Sequence, residues 1–217
     1  MTEIEAIRAR HAVRNYTAKP LSPEIIDELS QEIEQCNRQG QLHIQLVTEN
    51  EEAFKTFIPL FGRFKNVKNY IALAAKKQGD FYVKCGYCGA RLMVKAQQAG
   101  LNSCWVTNTY NAKKCPVTLA PDEELVGVIA IGYGTTDGTQ HKSKSMERLC
   151  KPCSDKWFLD GMNAAVLAPT GLNRQDFFIE ANGNTVSIRT KDNHPMSQIN
   201  TGIVKYHFEI GAGRENF

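Results

Sequence analysis

Two stretches far apart in the chain carry residue types from which a ligand site could be built. The first is Ala168-Pro169-Thr170-Gly171-Leu172-Asn173-Arg174-Gln175-Asp176-Phe177-Phe178-Ile179, which follows a helical run bearing Leu159, Met162, Ala165 and Val166. Proline cannot continue a helical hydrogen-bond ladder, so a break is expected at Pro169, with a strand beginning at Phe177. Such a break frees peptide N–H and C=O groups and the side chains of Thr170, Asn173 and Gln175 for a polar, planar ligand. An ordinary helix-to-strand connection capped by Asn and Gln would use the same residues. The second stretch, Arg10-His11-Ala12-Val13-Arg14-Asn15-Tyr16, sets three basic-capable side chains within five residues at a helix end. Together with free backbone N–H groups they would suit a phosphate; a solvated basic turn is the alternative.

A third pattern is made by the seven cysteines. Cys85-Gly86-Tyr87-Cys88 and Cys150-Lys151-Pro152-Cys153 are two CxxC pairs, the spacing of a four-cysteine zinc, rubredoxin-like iron or cluster site. The first pair falls at the start of a long helix and neither is flanked by glycine-rich knuckles, so thiols without metal are the expectation. Cys36, Cys104 and Cys115 read as small core or surface residues. His43, His141, His194 and His207 have no partner spacing that would make them ligands.

Composition limits what these residues can serve. The chain has 217 residues, 42% of them hydrophobic and 23% charged, which describes an ordinary globular protein. Its formal charge of +3 is too mild to argue for nucleic acid, and no basic run with interleaved aromatics occurs. The amino terminus lacks the apolar core of a signal peptide, and the longest apolar run, Leu125 to Tyr133, is far too short to span a bilayer. A cytoplasmic location follows as an expectation. In that compartment the odd cysteine count argues against a disulfide frame.

The elements that must position these residues can be read in order. A short helix is expected over Glu3 to Ala9. Ser22-Pro23-Glu24 then opens a helix with an N-cap, a proline at its first position and an acid in its first turn, with Ile25, Ile26, Leu29 and Ile33 at helical spacing. Leu42 to Val47 alternates as a strand. Residues 50–66 suggest another short helix with Phe54, Phe57 and Ile58, and Tyr70 to Ala75 a buried strand. A helix over about 80–99 carries Leu92, Met93, Ala96 and Ala99 and stops at Gly100, a residue suited to a left-handed C′ position. Leu101 to Thr107 runs into a polar turn at Asn108-Thr109-Tyr110-Asn111, and Val126 to Tyr133 is a buried strand. Thr135 to Ser145, rich in Gly and Lys, reads as a mobile surface loop. A core helix over about 154–168 follows, then a hairpin from Phe177 to Ile188 turning at Asn182-Gly183, and a last strand over Lys205 to Ile210.

Helices and strands mixed in this way predict an α+β fold with a mixed, mainly antiparallel sheet and packed helices, in a single domain over 1–217. Pro23 to Thr48 and Ser154 to Glu180 echo each other as helix, Asn near Gln, apolar strand. If the echo is real, pseudo-repeats 1–110 and 111–217 would form a fused pseudo-dimer.

Taken together, the stretches resemble the FMN-dependent nitroreductase family, particularly its single-chain, duplicated branch. Arg10 to Tyr16 is similar to that family's amino-terminal Arg-Arg/His-Ser-x-Arg/Lys-x-Phe/Tyr signature. Ala168 to Gln175 is similar to its Ala-Pro-Ser-x-x-Asn-x-Gln-Pro-Trp signature. Gly89 to Trp105 resembles its central helix and following turn, and Val128 to Gly134 its Val-Ala-Ile-Gly-Tyr strand. The resemblance implies that Arg10, His11, Ala12 and Arg14 surround the FMN phosphate, with Lys142 and Lys144 completing the site. It puts Pro169, Thr170 and Asn173 along the isoalloxazine, and Thr107 and Asn108 where backbone N–H groups meet the flavin N5 region. Three departures stand out. Ala12 replaces Ser, which removes a hydroxyl worth about 1 kcal/mol; Asp176-Phe177 replaces Pro-Trp; and the Pro-Thr-x-x-Asn motif lies late in the chain.

The function so implied is that of an oxidoreductase, passing electrons from NAD(P)H through FMN to an electron-poor acceptor of nitroaromatic or quinone type. In such an enzyme the chemistry belongs to the cofactor, and solvent can supply the proton, so no catalytic acid or base is named. A single chain could supply both halves of a site that ordinary family members build at a homodimer interface, leaving monomer and homodimer open. A flavin- or ligand-binding protein without turnover, and a four-cysteine metal or iron–sulfur carrier using Cys85, Cys88, Cys150 and Cys153, are the alternatives. No nucleic-acid or membrane partner is expected.

Overall fold

The computed structural model describes residues 1–55, 64–183 and 185–213. Its helices are α1 (Glu3–Ala9), α2 (Pro23–Gly40), α3 (Phe81–Gln98), α4 (Lys156–Ala165) and α5 (Pro195–Ala212); its strands are β1 (Gln45–Val47), β2 (Asn69–Lys76), β3 (Asn102–Val106), β4 (Glu123–Gly132), β5 (Phe177–Asn182) and β6 (Thr185–Thr190).

Local signals explain most of the boundaries. Thr2 and Glu5 form a capping box at the start of α1. The Ser22 side chain accepts from Ile25 N–H, with Pro23 opening α2. α3 ends at Gly100, whose φ of +76° costs a glycine little. The end of α2 is less expected: Gln41, not a glycine, takes the left-handed conformation, with φ +54°.

The main sheet runs β1-β2-β4-β3, every pairing antiparallel. β2 is buried on both faces from Asn69 to Ala75, and the two-residue period divides it cleanly. Ile71, Leu73, Ile129 and Ile131 face α2 and α3, while Tyr70, Ala72, Val128 and Ala130 face a second core with Val13 and Val106. A third core joins α3, α4 and α5 through Leu149, Phe158, Met162, Ile203 and Phe208. There α3 and α5 cross almost without intervening side chains. A Cβ at Gly86 would lie 2.1 Å from the Ile199 carbonyl oxygen, and one at Gly202 would lie 2.0 Å from that of Val83.

Three expectations are corrected. Lys205 to Ile210 is not a strand but the last part of α5, which begins at Pro195 with the His194 side chain as its cap. Six residues are too few to separate a period of 2 from one of 3.6, whereas the whole helix buries Ile199, Ile203 and Tyr206 at helical spacing. Over residues 50–66 the described part holds only a 3-10 turn, Glu52–Phe54; Phe57 and Ile58 lie outside the described residues. Asn182 pairs with Thr185 and so ends β5, leaving Gly183, with φ +59°, to open the turn. The two stretches that echo in sequence lie in different sheets: β1 is the edge of the four-stranded sheet, and β5 pairs with β6 and bridges Cys150 through Ile179.

Candidate functional site

Between the end of α1, the end of β3 and the break after α4 lies a pocket of about 1050 Å3. The segment after α1 reaches it by running beside β3: Ala12 bridges Ser103 in parallel, and Val13 N–H donates to the Ser103 carbonyl at 3.2 Å. Tyr16, buried, pins the far end, its hydroxyl donating to the Val13 carbonyl at 2.7 Å. Arg10, His11, Ala12 and Arg14 thereby all line the pocket. Arg10 caps the C-terminal end of α1, so the free backbone groups there are carbonyls. Anion-binding donors at this corner must come from the side chains, and the helix dipole favours a cation at that position.

Arg10 is the anomaly of the pocket. It is 3% exposed, and its Nε and Nη1 are buried with no hydrogen-bond partner among the described residues. Burial pulls its guanidinium down to about 10. A buried cation without an acceptor is costly unless a ligand supplies one. Behind it lies His207, whose Nδ1 is 2.9 Å from the Ile203 carbonyl and whose Nε2 has no partner among the described residues. Burial, with the Arg10 charge adding to it, lowers this imidazole to about 3. Burial, and then Arg10, also lowers His11.

The opposite wall comes from the break after α4. Pro169, Thr170, Gly171, Leu172, Asn173 and Arg174 line the pocket. Here Leu172, Asn173 and Gln175 adopt φ values of +52°, +53° and +48°, a conformation that costs side chains of this kind roughly 1 kcal/mol or more each. Gln175, 3% exposed, holds the turn together. Its backbone N–H donates to Thr170 Oγ1 at 3.1 Å, its Oε1 accepts from Lys144 N–H at 2.8 Å, and its Nε2 donates to the Lys142 carbonyl at 2.9 Å and to Asn173 Oδ1 at 2.8 Å. One buried amide thus joins the 142–144 segment to the strained turn. Thr107 and Asn108 close the pocket just beyond β3, and Met93, Trp105, Ile199 and Ile203 give it an apolar wall.

Nine of the eleven residues singled out from sequence therefore border one pocket. Lys142 and Lys144 do not. Lys144 Nζ is engaged by Asp176 at 3.3 Å and by the Gln175 carbonyl at 3.1 Å. Asp176 stands where the resembling signature has proline, so the departure in sequence supplies the partner that occupies this lysine. The Asn173 amide is also used within the loop, donating to the Lys142 carbonyl at 3.0 Å.

Sequence reasoning missed the contribution of residues 136–141. Read as a surface loop, they supply Thr136, Gly138, Thr139 and His141 to the pocket. Gly138, with φ +78°, packs so closely that a Cβ there would lie 2.9 Å from that of His11, and His141 Nε2 is 3.0 Å from the Val166 carbonyl. Spacing alone gives no signal for these, because the contacts join segments with no common period. The cysteine pairs are not brought together. Cys88 packs with Cys36 and Leu92, Cys150 with Leu149 and Ile179, and among the described residues no three His, Cys, Asp or Glu side chains gather as a metal ion needs.

Comparison with known proteins adds to this geometry. A family model described as "Putative TM nitroreductase" matches residues 3–212. No curated protein matches the chain. Among solved structures, a putative nitroreductase from Thermotoga maritima aligns with TM-score 0.67 at 21% identity, over 99% of this chain and 85% of its own. A putative nitroreductase in complex with FMN from Desulfovibrio desulfuricans gives TM-score 0.58 at 14% identity, over 71% of this chain and 99% of its own. A putative NADH dehydrogenase/NAD(P)H nitroreductase from Parabacteroides distasonis gives 0.55 at 19%, over 68% and 95%. At these identities the likeness is one of fold.

Proposed function

The chain belongs to the putative TM nitroreductase family, and we propose from its pocket that it is an FMN-dependent oxidoreductase. The observation that carries this is Arg10: a buried guanidinium with two donors unpartnered among the described residues, lining a pocket large enough for a flavin and walled by the Pro169–Asn173 turn. That donor set fits a phosphate monoester, which accepts fork-like hydrogen bonds from guanidinium groups. In this reading Arg10, His11 and Arg14 hold the phosphate, with Ala12 lending backbone only. Pro169, Thr170 and Asn173 border the ring, and backbone groups at Thr107 and Asn108 meet its N5 edge. Met93, Trp105, Ile199 and Ile203 exclude water from the inner wall. Lys142 and Lys144 act at one remove, through Gln175, by fixing the ring-side turn.

Bound FMN would supply the redox chemistry, accepting electrons from NADH or NADPH and passing them to a nitroaromatic or quinone. The chain's own part is to bind, orient and shield. Residues of both halves of the chain, 10–109 and 136–203, supply the walls, in keeping with one chain contributing what two subunits would, and monomer and homodimer are the two arrangements. Among the described residues no helix is long and apolar enough to cross a membrane, in keeping with a cytoplasmic enzyme.

The test is a visible spectrum of the purified protein during FMN titration, followed by addition of NADH or NADPH without oxygen. One flavin bound per chain and bleached by a pyridine nucleotide is the expected result. Stoichiometric binding without bleaching would make the protein a flavin binder without turnover, and failure to bind FMN would overturn the assignment.

A further inference from the structure

Resting on the flavin assignment above, we propose that the second ligand of this pocket, the one that meets the flavin, carries an anionic group held by Arg174. Among the described residues the lining includes three guanidinium groups, Arg10, Arg14 and Arg174, and no carboxylate. The acids on the same segments do not offset them: Asp137 and Asp176 are not among the lining residues, and Asp176 is paired with Lys144. A phosphate monoester at neutral pH brings a charge of about −1.5 to −2, which two guanidinium groups balance. The pocket therefore holds one cation more than the flavin phosphate needs.

Position decides which one is left over. Arg10 and Arg14 sit on one short segment beside Ala12 and Gly138. Arg174 sits on the other wall, directly after Asn173, exposed to solvent, and among the described residues its side chain has no ion pair or hydrogen bond. The backbone there is held, because Gln175 on one side and Asn173 on the other are fixed to the 142–144 segment, so the Cα–Cβ direction of Arg174 is set while its guanidinium can still reach for a ligand. The volume agrees: about 1050 Å3 is at or beyond the upper end of the range usual for one drug-sized ligand. A guanidinium at the edge of an apolar slot selects carboxylate or phosphate by paired hydrogen bonds. Two sources of such a group are chemically equivalent here, a carboxylate on the electron acceptor or the pyrophosphate of the nicotinamide donor.

The test is done by binding rather than turnover. Wild-type protein and the Arg174→Gln variant are loaded with FMN, and the flavin absorbance is followed during titration with four unreactive probes: benzoate and its neutral isostere benzamide, and NAD+ and the phosphate-free 1-benzylnicotinamide. The expected result is that Arg174→Gln weakens at least one anionic probe about tenfold while benzamide and 1-benzylnicotinamide change by less than twofold. Loss confined to benzoate assigns the anion to the acceptor; loss confined to NAD+ assigns it to the donor. Equal effects on charged and uncharged probes, or none, overturn the proposal while leaving the flavin assignment intact. Failure of the wild type to take up FMN, seen in the loading step, overturns the flavin assignment itself.

Discussion

Gln175→Leu tests the physical claim on which the geometry of the pocket most depends. The side chain is 3% exposed and makes three well-formed bonds, to Lys144 N–H, the Lys142 carbonyl and Asn173 Oδ1, at 2.8, 2.9 and 2.8 Å. A neutral hydrogen bond contributes about 1 kcal/mol net, and a buried partner left unsatisfied costs more. Leucine keeps most of the volume and none of the polarity, so a loss of about 3 kcal/mol is expected. For a chain of this length that corresponds to a fall in Tm of roughly 6–12 °C. The backbone adds a control. Because φ at this position is +48°, Gln175→Gly relieves about 1 kcal/mol of left-handed strain that Gln175→Ala keeps, and so should melt above Gln175→Ala, which removes the same bonds and leaves a similar space. Thermal melts of the four ligand-free proteins, wild type and the Leu, Ala and Gly variants, followed by circular dichroism, provide the measurement. A Gln175→Leu protein melting within about 2 °C of wild type would refute the idea that this amide holds the two segments together. A glycine variant melting below the alanine one would refute the assignment of strain.

Other expectations follow from the same contacts. Arg10→Met removes a buried cation that lacks an acceptor among the described residues, so the ligand-free protein should melt higher than wild type, while FMN affinity in an equilibrium titration falls about 100-fold, the equivalent of two charge-assisted bonds. His207, held neutral down to about 3 when folded, takes up a proton in the unfolded chain near its ordinary value of about 6.5. Its contribution to stability is thus present above about 6.5 and is lost as pH falls from there toward 3, by about 1.4 kcal/mol per pH unit. Urea melts of wild type and His207→Gln across that window should differ by this slope, with wild type the steeper. Gly202→Ala would push a methyl group to 2.0 Å from the Val83 carbonyl oxygen, forcing α3 and α5 apart. A loss of about 3 kcal/mol is expected, read as a lower urea midpoint.

How far the sequence discloses this can be judged from particular residues. The caps at Thr2 and Ser22, the left-handed Gly100 and the buried run of β2 are local, each written within a few neighbours. Arg10 and Pro169 are also legible, since each stands beside residues that break regular structure. The misses share one cause, dependence on tertiary partners. The end of α5 passes for a strand because a six-residue window hides its period. Lys144 looks spare because its partner, Asp176, lies across a loop closure. The 136–141 segment looks like surface because nothing in its own composition announces that Gly138 lies under His11.

The pocket draws on residues from Arg10 near one end of the chain to Ile203 near the other, and this has a bearing on biosynthesis. During translation the first wall exists in sequence long before the second has left the ribosome, and the inner wall, begun by Met93 and Trp105, is incomplete until α5 has supplied Ile199 and Ile203. Binding in the complete pocket then ties segments far apart in the sequence into one cooperative unit.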